Sequence, residues 1–176
     1  MMRWPAMDRE PAFICDAMLG GLARWLRAAG YSARFDVQIR DGELVRRALE
    51  EGHCLLTSDS GILERYAVSE GLVQCVFIPL GLSPLEQLAH VLASLGLPIG
   101  APRCMVCDGQ LESVPLAQVR DRVPTKVRQA RDRFFRCRGC DKVYWHGTHW
   151  ERIEERLAHA AELAAQGHDA AQGADG

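Results

Sequence analysis

Two Cys-x-x-Cys pairs place the strongest constraint on what this chain can fold into. Cys104 and Cys107 form the first pair, Cys137 and Cys140 form the second, and 29 residues lie between the pairs. Four thiolates in this pattern can surround one Zn²⁺ tetrahedrally, which is the geometry of a closed structural site. A segment this small buries too little apolar surface to fold unaided, so zinc is expected to supply its folding free energy. The pattern predicts a zinc ribbon; free or redox-active cysteines are the alternative.

The segment between the two pairs is longer than the usual spacing, so we expect it to contain structure of its own. Residues 101–150 contain ten basic and five acidic side chains, although the whole chain has a net charge of −2. A basic segment between acidic neighbours indicates a polyanionic partner, whereas a solvated surface is the alternative. Three arginines are predicted to contact RNA phosphates, namely Arg128, Arg131 and Arg133. The neighbouring aromatic residues could stack on bases or form the core of the ribbon: Phe134, Tyr144 and Trp145.

The other three cysteines, Cys15, Cys54 and Cys75, lie in apolar runs and are predicted to be buried thiols. The first eleven residues contain no apolar run of the kind found in signal peptides. No stretch approaches the roughly 18 apolar residues of a membrane span. We therefore expect a cytoplasmic protein without a membrane partner, in a compartment where cysteine pairs bind metal more often than they form disulfides.

The first hundred residues alternate short apolar runs with amphipathic stretches, a pattern typical of strands and helices in a parallel α/β sheet. Strands are predicted at residues 13–16, 31–36, 54–58 and 73–78. The last of these is a continuous apolar run, which predicts a central strand buried on both faces. Residues 96–102 contain two prolines and two glycines and are predicted to be a linker. The predicted organisation is an α/β domain at residues 12–97, a ribbon with a short helix at residues 101–158, and a disordered tail at residues 159–176.

Three aspartates are predicted to follow strands or to begin the helices after them: Asp16, Asp41 and Asp59. In open α/β sheets ligands bind at this edge, so the three carboxylates could converge there on Mg²⁺ or Mn²⁺. Each also has a simpler interpretation, since Asp41 and Asp59 could be helix N-caps and Asp16 could shape a turn. Glu43 could join the cluster or simply favour the helix dipole.

Several segments together resemble the Mut-seven C-terminal RNase family, in which a PIN-like RNase domain is fused to a zinc ribbon. They are FICDAMLGGLARWLRAAGY from residue 13, DGEL at Asp41, CLLTSD before Ser60, CMVC, and FFRCRGCDKVYWHGTHW. The resemblance covers about residues 13–154, and the order and spacing of the motifs match. It implies a PIN-like three-layer α/β/α fold with a parallel sheet, and metal-dependent cleavage of RNA.

Carried over by motif, the resemblance makes Asp16, Asp41 and Asp59 catalytic ligands of Mg²⁺ or Mn²⁺, with Glu43 as a further candidate. The family often has a basic residue where this chain has Ser58, and a proline where it has His146. Two arginines after Asp16 are predicted to contact phosphate instead, Arg24 and Arg27. Either of them could also be a solvated surface residue.

These features predict a ribonuclease that leaves a 5′-phosphate and a 3′-hydroxyl, with structural zinc in a ribbon that helps to bind RNA. One alternative is a noncatalytic RNA-binding or adaptor protein. Another is a phosphohydrolase or phosphoacceptor domain that uses the same carboxylates on a small phosphorylated ligand.

Overall fold

The computed structural model describes residues 11–172 of the chain, and side chains as far as residue 166. Four parallel strands form a sheet in the order β2-β1-β3-β4: β1 (Ala12–Cys15), β2 (Ser32–Phe35), β3 (Cys54–Thr57) and β4 (Cys75–Phe77). Five helices alternate with them: α1 (Gly20–Ala28), α2 (Asp41–Glu51), α3 (Ser60–Leu63), α4 (Tyr66–Ser69) and α5 (Pro84–Leu95). These elements confirm the predicted parallel α/β class.

Helices cover both faces of the sheet because successive side chains of each strand point to opposite sides. On one face, Phe13 and Cys15 of β1 belong to a core cluster that includes buried leucines of α1 and α5. On the other face, Ile14 of β1 and Leu55 of β3 pack with Leu44 of α2. The arrangement is the predicted three-layer α/β/α fold.

The strand predicted to be central, at residues 73–78, lies at an edge of the sheet. β4 pairs only with β3 in the described part of the chain, and the Phe77 side chain is 37% exposed. Val73, Val76 and Ile78 are nevertheless buried. An apolar run reports burial but not the order of strands, and helices that cover both faces bury an edge strand almost as well as a central one.

The predicted linker at residues 96–102 is attached to the end of α1 by hydrogen bonds. The Gly100 N–H donates to Ala29 O at 2.8 Å, and the Arg103 N–H donates to Arg27 O at 2.8 Å. Gly30 has a φ of 102°, and a β-carbon there would lie 2.8 Å from Ala101 O. Only glycine satisfies both conditions without strain, so the start of the ribbon has a fixed position on the α/β domain.

A three-stranded antiparallel sheet forms the ribbon, from β5 (Leu111–Val114), β6 (Phe134–Cys137) and β7 (Val143–Trp145). The long segment between the cysteine pairs contains α6 (Leu116–Val119), a 3₁₀ turn (Arg120–Arg122) and α7 (Thr125–Ala130), as its length predicts. Phe134 is 1% exposed and packs with Val114, Val119 and Val123. Phe134 therefore belongs to the core of the ribbon, which is the second of the two interpretations of this ring.

The last element, α8 (Thr148–Gln172), corrects the predicted short helix and disordered tail. Leu157, Ala160 and Ala164 are buried in the cluster that contains Leu88 and Leu92 of α5. Alanine has the highest helix propensity, and its small side chain lets two helices approach closely, so an alanine-rich composition does not imply disorder here. The helix thus joins the core of the α/β domain, and residues 173–176 lie outside the described part. None of the helices in residues 11–172 has the length and apolar character needed to cross a membrane.

Candidate functional site

The four predicted zinc ligands come together at one point of the ribbon. The Sγ atoms of Cys104, Cys107, Cys137 and Cys140 all lie within 4.8 Å of one another. Cys104 and Cys140 are 3.7 Å apart, and Cys107 and Cys137 are 3.4 Å apart. Four sulfurs at the usual Zn–S distance of about 2.3 Å form a tetrahedron with edges of roughly 3.8 Å, so this donor set fits structural zinc. A full shell of four thiolates leaves no position for substrate.

The two cysteine pairs have the same backbone geometry, which is that of a metal-binding knuckle. Asp108 and Asp141 follow the second cysteine of each pair and have φ values of 69° and 60°. Each donates its backbone N–H to the carbonyl of the first cysteine, to Cys104 at 2.9 Å and to Cys137 at 3.0 Å. A β-carbon at Gly109 would lie 2.7 Å from the Cys137 sulfur, so the close approach of the two knuckles requires glycine at that position.

Tyr144 adds a hydrogen bond to the zinc site. Its hydroxyl lies 3.0 Å from the Cys104 sulfur, and burial raises the pKa of Tyr144, so the hydroxyl keeps its proton and donates to the thiolate. Such donors orient a ligand and adjust its charge. The sequence indicates an aromatic residue at this position but not this contact, because the contact joins residues 40 positions apart.

Arg27, predicted to contact RNA, has a structural position instead. Its side chain is buried, and its Nε and Nη2 groups donate to Ala33 O at 2.9 and 2.6 Å. Its Nη1 group donates to the carbonyls of Met105 and Val106 at 3.2 Å each. A guanidinium with these partners joins β2 to the first knuckle and is not free to bind phosphate, which corrects the prediction. Arg24 lies one turn earlier and is exposed.

Asp16, the first of the predicted catalytic carboxylates, is buried at the carboxyl end of β1. It is 8% exposed, and its Oδ2 accepts a hydrogen bond from Thr57 Oγ1 at 2.8 Å. The same Thr57 oxygen accepts the backbone N–H of Asp59 at 3.0 Å. Among the described residues no cationic side chain lies within ion-pair distance of Asp16 or Asp59. A buried carboxylate without a cation is costly, and the Thr57 hydroxyl offsets part of that cost.

Thr57 was not among the predicted site residues, although a signal for it exists in CLLTSD. It is the last residue of β3 and is fully buried, and it is the only hydroxyl residue in that strand. A hydroxyl that ends a buried strand, two positions before an acid, needs polar partners. Here those partners belong to the two predicted ligands, Asp16 and Asp59.

Asp41, Asp59 and Glu43 also have local partners. Asp59 caps α3, because its Oδ1 accepts the Gly61 N–H at 2.8 Å. Asp41 is the first residue of α2, not its N-cap, and its Oδ2 lies 3.3 Å from Arg65 Nη2. Hydrogen bonds from two arginines of α2 lower the pKa of Glu43 to about 2.

The four cysteines are the one group of metal-ligand side chains in the described residues that is close enough to hold an ion. Asp16, Asp41 and Asp59 do not form such a group. Their elements nevertheless lie at the carboxyl end of the sheet, where the parallel strands β1 and β3 end. In this arrangement Asp41 is paired with Arg65 and does not share a site with the other two carboxylates.

Many basic side chains of the ribbon have acidic partners. Arg136 and Arg138 both bind Glu112, and Arg131 lies 3.6 Å from Glu151. The Arg128 Nη2 group donates to the Thr125 hydroxyl at 3.1 Å. Four exposed cations of the ribbon have no ion-pair partner among the described residues, namely Arg120, Lys126, Arg133 and Lys142. Of the three predicted RNA-contact arginines, Arg131 has an acidic partner, whereas Arg128 and Arg133 have no ion-pair partner among the described residues.

A groove follows the edge strand β2 from the first knuckle towards the carboxyl end of the sheet. It has a volume of about 800 Å³, and its walls include Arg34 and Phe35 of β2, Arg47 of α2, and Val106 and Asp108 of the knuckle. The groove connects the ribbon with the loop that follows β2.

The fold and these sites can be compared with known proteins. The family model described as Mut7-C RNAse domain matches residues 11–157. No curated protein and no solved structure matches the chain. The match begins just before β1 and extends into α8, so it includes both the parallel sheet and the ribbon. The chain therefore belongs to the Mut7-C RNase domain family, as its motifs predict.

Proposed function

We propose that this protein is a metal-dependent ribonuclease that hydrolyses phosphodiester bonds of RNA at its acidic edge. This name denotes the carboxyl end of the parallel sheet with Asp16, Asp41 and Asp59. Membership of an RNase family points to a nuclease or hydrolase in general. The observation that carries the finer proposal is Asp16, a buried carboxylate without a cationic partner among the described residues, hydrogen-bonded at the carboxyl end of the sheet. Ligands of open parallel sheets bind at this end.

The donors at this edge fit a hard divalent cation. Carboxylate oxygens and water are the preferred ligands of Mg²⁺ and Mn²⁺, and Asp16 and Asp59 supply carboxylates from two adjacent strands. Asp41 would complete the set when it exchanges Arg65 for the cation. Such an ion, when bound, lowers the pKa of a bound water and stabilises charge on the phosphoryl oxygens.

The protein's own residues would position the reaction. The Thr57 hydroxyl holds the Asp16 carboxylate, and the cap bond from Gly61 N–H orients the Asp59 carboxylate. Arg65, once released by Asp41, would have a free guanidinium for a phosphate of the substrate. Attack by water on the phosphorus would leave a 5′-phosphate and a 3′-hydroxyl. Glu43 is a weaker candidate because two arginines already bind it.

The metal requirement can be tested by activity measurements on the intact chain. We expect RNA cleavage to be lost after exhaustive dialysis without divalent ions and to return with Mg²⁺ or Mn²⁺, while bound zinc stays constant. Measuring zinc in the same samples distinguishes loss of the divalent ion at the acidic edge from loss of zinc from the ribbon. Cleavage at full rate without added divalent ions would contradict the proposal. Turnover of a small phosphate ester without RNA cleavage would favour the phosphohydrolase alternative, and RNA binding without cleavage would favour the adaptor.

We further propose that the ribbon helps to bind RNA through basic residues on its surface. Changing Arg128, Arg131 and Arg133 to glutamine is expected to weaken binding of an unstructured RNA regardless of sequence. Each phosphate contact contributes roughly 0.7 to the log–log salt slope on single strands, so the slope should fall by about 2 if all three bind phosphate. Binding across a salt series measures this.

A matched control for the triple variant is the double change Arg136→Gln and Arg138→Gln. Glu112 already compensates these two arginines, so a smaller change in slope is expected. Zinc content should stay the same in both variants. Equal slopes for the triple variant and the unchanged protein would remove the RNA-binding role from these arginines.

A further inference from the structure

A cavity of about 560 Å³ lies where the ribbon meets the α/β domain. Tyr144 and Trp145 of β7, Trp150 of α8, Ile99 of the linker and Met105 of the first knuckle contribute to its walls. Its volume is in the range of small-molecule sites, roughly 300 to 1,000 Å³. The cavity is separate from the acidic edge and from the groove along β2, because it shares no lining residue with either.

Several of the aromatic walls are held in place by other contacts. The Tyr144 hydroxyl binds the Cys104 sulfur, and the Trp150 ring stacks on Phe135 with ring centroids 5.3 Å apart and planes 12° apart. The Trp150 indole N–H donates to Glu154 at 2.8 Å. Rings fixed in this way lose little conformational entropy when a flat ligand stacks on them.

The charged groups at the cavity favour an anionic ligand. Lys142 lies over the Tyr144 ring at 5.7 Å, is exposed, and has no ion-pair partner in the part of the chain that the structure describes. The carboxylate at the cavity, Glu154, is bound by Trp150 and lies 3.5 Å from His146. An aromatic pocket beside a free cation suits a ligand that has a flat ring and a phosphate.

From these contacts we infer that the cavity binds a nucleobase of single-stranded RNA, with Lys142 contacting an adjacent phosphate. Base stacking on aromatic side chains tolerates any sequence, because every base has a π-face. The inference rests on RNA being the substrate in the proposed function. It adds a binding site for one nucleotide outside the acidic edge.

The cavity and the acidic edge lie at opposite ends of the sheet. Ala28, the last residue of α1, lines the cavity, whereas Asp16 precedes the start of α1. A helix of nine residues is roughly 14 Å long, so about this distance separates the two sites. The nucleotide in the cavity is therefore not a neighbour of the scissile bond. The site anchors a longer RNA, and a dinucleotide cannot reach both sites.

Calorimetric titration of the full chain with the four nucleoside 5′-monophosphates tests the assignment. We expect these nucleotides to bind and ribose 5-phosphate, which has no base, to bind much more weakly. Ile99→Trp places a large side chain into the cavity from the linker. It should weaken nucleotide binding by roughly 5- to 150-fold, the effect of losing one stacked base. Leu72→Trp is the matched control, since Leu72 is 57% exposed and does not line the cavity.

Kinetic measurements give a second test, because a purely structural role of the cavity would not change KM alone. Ile99→Trp should raise KM for a long unstructured RNA by a similar factor, while kcat and the cleavage of a dinucleotide stay the same. Lys142→Gln should weaken binding of the monophosphates but not of the uncharged nucleosides.

The assignment would be overturned by absence of nucleotide binding, by equal binding of ribose 5-phosphate, or by an unchanged affinity in Ile99→Trp. Binding of an apolar dye that nucleotides do not displace would assign the cavity to an apolar partner and would also overturn it. Nucleotide binding by a protein that cleaves no RNA would contradict the ribonuclease and leave the cavity assignment standing, so the two failures are distinguishable.

Discussion

Replacing Asp16 by asparagine is expected to reduce RNA cleavage by more than about 100-fold, since even the outer partners of metal ligands cost roughly 10- to 100-fold when mutated. The change keeps the volume of the side chain and removes its charge. Because Thr57 can still donate to the amide oxygen, the local hydrogen bond survives. Single-turnover cleavage of a labelled RNA at saturating Mg²⁺ measures the loss.

The fold of the Asp16→Asn variant should be intact, and its stability should be equal or higher without divalent ions. A neutral amide removes the cost of burying a carboxylate that has no cationic partner in the described residues. Glu70→Gln is a suitable control, because Glu70 is exposed and precedes β4 at the opposite end of the sheet. Cleavage by Asp16→Asn at the rate of the unchanged protein would exclude Asp16 from the catalytic role.

Removal of zinc is expected to unfold the ribbon while much of the parallel sheet survives. Structural zinc contributes on the order of 10 kcal/mol or more to small domains of this kind, far more than the four-residue core of the ribbon can replace. We expect one zinc per chain, and we expect Cys104→Ser to lose the ion and to make backbone amides of residues 103–146 exchange rapidly. Elemental analysis and hydrogen exchange measure the two effects.

Cys75→Ser provides the control for Cys104→Ser. Cys75 is half-buried in β4, and burial raises the pKa of its thiol to about 11, so it is a poor zinc ligand at neutral pH. Its replacement should leave the zinc content at one. A fully reduced, folded protein without zinc would reject the metal assignment.

Features encoded by near neighbours in sequence were predicted well. The spacing of the four cysteines identifies the zinc ligands because each pair forms its own knuckle. At the start of α5, Ser83, Pro84 and Glu86 are a local signal of the same kind, and the structure contains the full capping box there. The predicted family follows from motifs of the same local kind.

Features that depend on distant partners could not be predicted. Arg27 binds carbonyls 78 and 79 positions later, so nothing near it distinguishes a buried guanidinium from a solvated one. The edge position of β4 depends on strand order, which hydrophobicity does not encode. The partner of Asp41 is Arg65, 24 positions away, and the sequence alone predicted only an N-cap or a metal ligand. Composition alone predicted a disordered tail, whereas Ala160 and Ala164 are buried in the core cluster that contains residues of α5.

The position of α8 has a consequence for the order in which the molecule can be completed. During synthesis the chain leaves the α/β core after α5, forms the ribbon, and returns to the core only when α8 packs on α5. The ribbon is therefore a closed loop with both ends fixed, and its freedom to rotate as a separate body is small. A nascent chain that ends at residue 97 lacks the helix that packs on α5, so the core of the α/β domain is completed only after the metal-binding segment has been made. Insertions or exchanges inside the ribbon keep this topology, whereas truncation at the linker removes part of the core.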